Sequence, residues 1–249
     1  MKKAIIIGAT SGLGWDAASK LVAEGWSVGI AGRRKKALEA FCLEHQSAKV
    51  YTATMDVTRE DCVEVLDALI EQLGAPDLLF YVSGVGQQNP ELDIDKEITM
   101  VKTNCEGMVR VVDHFVNYVR QHKDAYKQKA QIAVITSVAG VFAMGSAPAY
   151  AASKRMQSTY LSALAQLSRM EDIPVCFTDI RPGFVDTAIL NPDKHYPVVM
   201  SRETAANHIM KAIKQRRRVY TFDWRFRTLC FVGKFIPRCI WERIKWIKN

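Results

Sequence analysis

Tyr150 and Lys154 stand four residues apart in the stretch AYAASK. That spacing is one helical turn, so both side chains lie on the same face. A phenol holds its proton until about pH 10 and is a poor base near neutrality. An ammonium one turn away favours the phenolate. The pair is therefore a candidate for moving a proton to or from an oxygen. Ser137 closes the apolar run VITS and adds a hydroxyl that can orient such an oxygen and share its developing charge. Asn104, in KTNCEG, is the fourth candidate. The plain alternative for Tyr150 is a buried tyrosine packing on a sheet.

A second cluster sits near the start. Gly8-Ala9-Thr10-Ser11-Gly12-Leu13-Gly14 follows the Ile-rich run KAIII and precedes a helix-like stretch. Glycines let a backbone turn tightly and approach a ligand, and the helix beyond offers unpaired N–H groups and partial positive charge to a pyrophosphate. The G-x-x-x-G-x-G spacing is neither G-x-G-x-x-G nor a P-loop. At the end of the next apolar run, AGRRKK puts Arg33 and Arg34 where a dinucleotide fold meets the adenosine ribose. An acid there reads the 2′-hydroxyl of NAD, whereas arginine pairs with the 2′-phosphate of NADP. The sequence thus favours NADP(H) over NAD(H). Four consecutive cations at a helix start also oppose the helix dipole, a conflict that an anionic partner relieves.

Short apolar runs alternate with amphipathic ones and supply the frame for these residues. Strands are expected at 3–8, 27–32, 49–57, 77–84, 131–137, 175–183 and 218–222, and helices at 13–25, 35–45, 59–73, 98–120, 150–170 and 203–215. This alternation predicts an α/β chain: one doubly wound domain of Rossmann type, with a mostly parallel seven-stranded sheet over 1–223. Ser137 then falls at a carboxyl end of the sheet, where ligands bind in open α/β folds.

Together these motifs resemble the short-chain dehydrogenase/reductase family over roughly residues 3–190. Y-x-x-x-K is Tyr150 to Lys154, with Ser137 thirteen residues upstream. The resemblance makes Asn104, Ser137, Tyr150 and Lys154 catalytic, with Asn104 holding a water that links Lys154 to solvent. It places a nicotinamide cofactor on Gly8, Thr10, Ser11, Gly12, Leu13, Gly14, Arg33 and Arg34. Asp56 and Val57 match its adenine-contacting pair, and Ser83 and Gly84 follow the fourth strand. RPGFVDT matches P-G-x-V-x-T, so Pro182, Gly183, Val185 and Thr187 hold the nicotinamide side, while Tyr150 and Lys154 also meet the cofactor. The implied reaction interconverts a carbonyl and a secondary alcohol, with Tyr150 as general acid/base. A homo-oligomer, dimer or tetramer, is implied through the helices near 98–120 and 150–170. Two departures stand out: Ile7 precedes Gly8 where the family has threonine, and Val82-Ser83-Gly84 replaces N-N-A-G. Ser83 is the candidate to replace the asparagine that ties the central strand to its neighbours.

Substrate choice is expected in GQQNPELD, in the Val141–Met144 loop and in 188–203, where His195 is a candidate contact. Their apolar content suits a bulky hydrophobic or lipid-like carbonyl. A reductase of small soluble ketones or carrier-bound oxoacyl groups is the alternative, and a non-catalytic NADP-sensing or scaffold protein is the alternative of another class. The last segment, 224–249, carries seven Lys or Arg and one acid, so most of the net charge of +8 belongs to it. It reads as two amphipathic helices divided at Pro237, with Leu229, Val232 and Ile236 forming the apolar face of the first. Docking on the body and lying on an anionic membrane both fit it. Nucleic acid fits poorly, because the rest of the chain is nearly neutral. The six cysteines show no metal-ligand spacing and no metal is expected. Their use and the N-terminus suggest a cytoplasmic protein, with the inner face of a membrane as its other expected address.

Overall fold

The computed structural model describes residues 1–190, 196, 198–233 and 235–244. Seven strands form one sheet: β1 (Lys3–Ile7), β2 (Ser27–Gly32), β3 (Val50–Thr54), β4 (Leu78–Tyr81), β5 (Ala130–Ile135), β6 (Val175–Arg181) and β7 (Val219–Thr221). Their order is β3-β2-β1-β4-β5-β6-β7, and every pairing is parallel. The strands are shorter than their apolar runs because the ends of those runs turn into the loops that carry the motifs.

Alternation along the strands feeds two cores. Ile5, Ile7, Leu79 and Tyr81 face α3 (Cys62–Leu73), α5 (Gly107–Gln121) and α6 (Pro148–Met170). Ala4, Ile6, Ile30 and Phe80 face the opposite layer of α1 (Gly12–Ala23), α2 (Lys35–Glu44) and α7 (Arg202–Lys214). Both faces of the sheet are therefore covered, as an all-parallel sheet requires.

The helix expected at 98–120 is not continuous. It runs as α4 (Ile94–Val101), a π-helical turn (Lys102–Glu106) and α5. Two carbonyls of the widened turn find side-chain donors: Tyr81 Oη donates to Thr103 O at 3.3 Å, and Gln157 Nε2 to Asn104 O at 2.8 Å. Such single-turn π bulges arise where other groups satisfy the backbone that the wider turn frees.

The last segment forms α8 (Trp224–Gly233) and α9 (Arg238–Trp241), with Pro237 just ahead of α9. It packs inward by a face other than that of Leu229 and Val232. Leu229 and Val232 are exposed, while Phe226, Cys230 and Gly233 turn toward the body. Small residues decide this: a side chain at Gly233 would collide with the Phe142 ring, and one at Gly183 would collide with Phe226. Residues 245–249 lie outside the described residues. Among the described residues no helix is long and apolar enough to cross a membrane.

Candidate active site

The carboxyl ends of β1, β4, β5 and β6 meet at one edge, and the candidate residues gather there. Gly8 follows β1 with φ +96°, a left-handed conformation that favours glycine. A Cβ on Gly8 would lie 2.6 Å from Ser83 N, and one on Gly14 would strike Gly8 O. Strand, turn and α1 can therefore pack this closely only with glycine at both positions. α1 begins at Gly12 with Ser11 extended, no side-chain cap and no acid in its first turn. Its leading N–H groups are left to an anion. Across the cleft, a Cβ on Gly12 would sit 3.9 Å from the Thr187 methyl, so the two cofactor segments converge.

Arg34 lies over the glycine turn. Its Nε and Nη2 donate to Thr10 Oγ1 at 3.3 and 3.1 Å, and Nη2 also reaches Ser11 Oγ. Arg33 is exposed and its charge reaches Asp56. Partial burial raises the Asp56 pKa, but the Thr58 N–H and hydroxyl, with Arg33 and Arg59, hold it below the usual carboxylate value. Val57 is buried and packs where a side chain on Gly107 would be. Leu13 also packs into the core. These donors, glycines and cations fit a nicotinamide dinucleotide with its pyrophosphate at the start of α1.

Ser137 begins a single 3-10 turn (Val138–Gly140), and its Oγ accepts the Ala139 N–H at 3.1 Å. The Ser137 hydroxyl also lies close enough to the Tyr150 phenol to lower its pKa. Lys154, only 5% exposed, donates from Nζ to Ile135 O at 3.0 Å and lies 5.9 Å from the Tyr150 ring centre. Desolvation pushes its pKa down to about 8, against the opposing pull of Cys105 and Asp179. Asp179 is buried too, held by Thr136 and by Arg181 at 2.9 and 2.6 Å.

Burial raises the Tyr150 pKa above the ordinary phenol value, and the neighbouring Ser137 hydroxyl partly offsets this. The Lys154 ammonium is turned to Ile135 O.

Asn104 is fully buried at the π turn and its side chain is committed. Oδ1 accepts from Val85 N at 2.9 Å, while Nδ2 donates to Val85 O at 2.8 Å and Ser153 Oγ at 3.0 Å. A water relay through Asn104 has only second lone pairs to use. This clamp fastens Val85 to the π turn, while the Ser83 N–H donates to Ile7 O at 2.9 Å and so ties the end of β4 to β1. Gly84 leaves room beside Asn104 Oδ1 and Lys154 Nζ, 3.2 and 3.5 Å from where a Cβ would be.

Pro182 accepts the Val138 N–H at 3.0 Å, which fastens the 182–187 loop to the Ser137 turn. Val185 is buried and bridges Met200. A Cβ on Gly86 would lie 2.6 Å from the Tyr150 ring and 3.2 Å from an Ile189 methyl, so apolar groups flank the phenol. The last segment braces both loops of this site. Trp241 stacks on Phe142 at 4.7 Å and donates to Ala143 O at 2.7 Å, and Phe226 meets Phe184 edge-on at 5.9 Å. His195 lies outside the described residues. Among the described residues no cluster of His, Cys, Asp or Glu could hold a metal ion.

Sequence reasoning did not find Asn89, Glu97, Gln157 and Asp179. Only Asn89-Pro90 carried a local signal, that of a turn.

A family profile described as short chain dehydrogenase matches residues 2–196. The chain belongs to that family, and membership makes it an oxidoreductase of the carbonyl–alcohol class that uses a nicotinamide cofactor. It is 27% identical over 247 residues to an uncharacterized oxidoreductase of Myxococcus xanthus, covering 97% of this chain and 95% of that one. It is 32% identical to sulfoacetaldehyde reductase 2 of Chromohalobacter salexigens, covering 74% and 72%. In fold it matches a Burkholderia phymatum short chain dehydrogenase/reductase in complex with NAD (TM-score 0.81, 22% identity, 92% of each chain). It also matches an alcohol dehydrogenase from Thermococcus sibiricus complexed with 5-hydroxy-NADP (TM-score 0.75, 23% identity, 89% and 95%).

Proposed function

We propose that the chain is an NADPH-dependent reductase of a bulky, apolar ketone, with 1–223 as its catalytic body. The observation that carries this reading is the grouping of Ser137, Tyr150 and a buried Lys154 at the end of β5. The nicotinamide, when bound, supplies the hydride that the carbonyl carbon receives. Ser137 and Tyr150 hydrogen-bond the carbonyl oxygen, and the phenol gives it a proton as negative charge builds there. A donor whose pKa is raised suits reduction, the direction in which the phenol begins protonated. Lys154 supplies positive charge behind the phenol as it becomes a phenolate, and below about pH 8 it remains an ammonium.

Arg33 and Arg34 support NADPH over NADH, since their guanidinium groups match a 2′-phosphate. Gly86, Ile189 and the aromatic loops support an apolar substrate. For 224–249, docking and membrane contact are compatible. One face packs on the body, while the outward face shows Leu229, Phe231, Val232, Phe235 (72% exposed) and Ile240 beside exposed Arg225, Arg227 and Arg243. That mixture of aromatic, aliphatic and cationic groups suits an anionic bilayer surface. A homo-oligomer through α5 and α6 belongs to the same reading, and sedimentation of the intact protein tests it.

The second reading is a small polar carbonyl, favoured by the relatives named sulfoacetaldehyde reductase 2 and serine 3-dehydrogenase. NADPH oxidation across a panel from small polar aldehydes to long-chain and lipid-linked ketones separates the two. Turnover confined to small polar compounds sinks the apolar reading. Turnover that survives Tyr150→Phe sinks the proton donor, and no turnover on any carbonyl removes the enzymatic reading altogether.

A further inference from the structure

α6, which carries Tyr150, cannot cap its own start. Its N-cap is Ala147, whose side chain accepts nothing, and Pro148 follows with no N–H. The next N–H, of Ala149, is received by a carboxylate from another helix: Glu97 Oε2 on α4, at 2.8 Å. The other oxygen, Oε1, takes a hydrogen bond from Asn89 Nδ2 at 2.8 Å. Asn89 is 2% exposed and fixed at further points. Its Oδ1 accepts the Asp93 N–H at 3.1 Å, its Nδ2 also reaches Asp93 O at 2.9 Å, and its own N–H donates to Ser146 O at 2.8 Å. The carboxylate is thus seated before it meets α6.

We infer that Glu97, seated by Asn89, is a positioning residue: an external N-cap that holds Tyr150 in place at the front of α6. Tyr150 is the residue after the capped amide, inside the turn that frays first when a helix start lacks acceptors. A negative group is also the right charge for that end of the helix. The loop that supplies Asn89 also supplies Gly86, which packs against the Tyr150 ring. One chain of hydrogen bonds therefore sets both the phenol and the wall beside it. The inference rests on Tyr150 being the proton donor, and its test has an arm independent of that reading.

Hydrogen exchange of the full-length protein, read over 146–153, is compared for wild type, Glu97→Ala and Glu97→Gln, alongside kinetics on whichever carbonyl the panel identifies. In Glu97→Ala, exchange at Ala149–Ala151 should rise about tenfold with α5 unchanged, the size expected for a lost cap. kcat should fall by about the same factor or more, with KM for NADPH unchanged. Glu97→Gln keeps an acceptor for the Ala149 N–H but turns its own NH2 toward the Asn89 Nδ2 donor, so it should recover only part of both losses. Unchanged exchange at the front of α6 in Glu97→Ala overturns the inference. So does a loss of protection spread over the whole chain, the mark of a merely structural role. If no carbonyl is turned over, the functional reading fails by itself and the exchange arm still decides the cap. Should Glu97→Ala fail to fold, Asn89→Ala frees the carboxylate without deleting it, and the same changes are expected at smaller size.

Discussion

The reaction centre and the last segment break the partition rule in opposite directions. At the centre a lysine and a carboxylate, Lys154 and Asp179, are held inside. In α8 and beyond, Leu229, Phe231 and Phe235 are left outside. Burying Lys154 is costly. Its pKa near 8, against an ordinary 10.5, corresponds to about 3 kcal/mol. Exposing the tail's apolar groups forgoes burial that other surfaces would provide. A fold keeps such departures where chemistry or contact requires them, and the two regions differ in which of these they serve.

Lys154→Met tests the first half most severely. Activity should fall at least about a hundredfold, while stability rises. The sign follows from the proton count. Between about pH 8 and 10.5 the unfolded chain binds the proton that folded Lys154 has released, so wild-type stability gains with rising pH there. Below pH 8 the penalty is fully present, so the variant should melt several degrees higher at pH 7 and lose that slope. A lower melting temperature would show that Lys154 is not a costly charge. Next in size, Arg33→Ala with Arg34→Ala should cut kcat/KM for NADPH about ten- to a hundredfold and leave NADH unchanged. Equal losses for both cofactors would break the 2′-phosphate reading. Trp241→Ala removes a ring stack and an N–H bond and should cost about 1 kcal/mol, a few degrees of melting temperature. The smallest stability effect belongs to Leu229→Ser with Phe231→Ser, within about 0.5 kcal/mol of wild type. That variant sharpens the comparison in a flotation assay with anionic liposomes. It should float less than wild type, as should a chain ending at Asp223, and equal flotation by all three would remove the tail as a membrane contact.

The strands were legible because Ile, Val and Leu runs between glycines leave little choice for a buried parallel sheet. The motif residues were legible because each sits where such a strand ends. The π turn was not, since the apolar periodicity from Met100 to Val119 continues through it; only the donors Tyr81 and Gln157, distant in sequence, reveal it. Glu97 looked like any acid on the polar face of a helix, and its meaning depends on Ala147 failing as a cap fifty residues later. Which face of α8 packs inward was left open by the sequence, because the apolar face of Leu229, Val232 and Ile236 suits docking and a membrane surface alike. Close approach of Phe142 depends instead on Gly233, which hydropathy ignores.

The strand order has a consequence for how the chain is made. β1, β2 and β3 grow outward to one side, then β4 joins β1, and β5, β6 and β7 extend the other side in turn. Every strand after β1 therefore finds its edge already waiting as it leaves the ribosome. Trp241, which braces the loop after Ser137, is made later than all seven strands. At about 5–20 residues per second, tens of seconds separate the glycine turn from that brace. The nascent chain can assemble its sheet throughout that time, and the loops around Tyr150 receive the Trp241 brace only after the whole sheet has been translated.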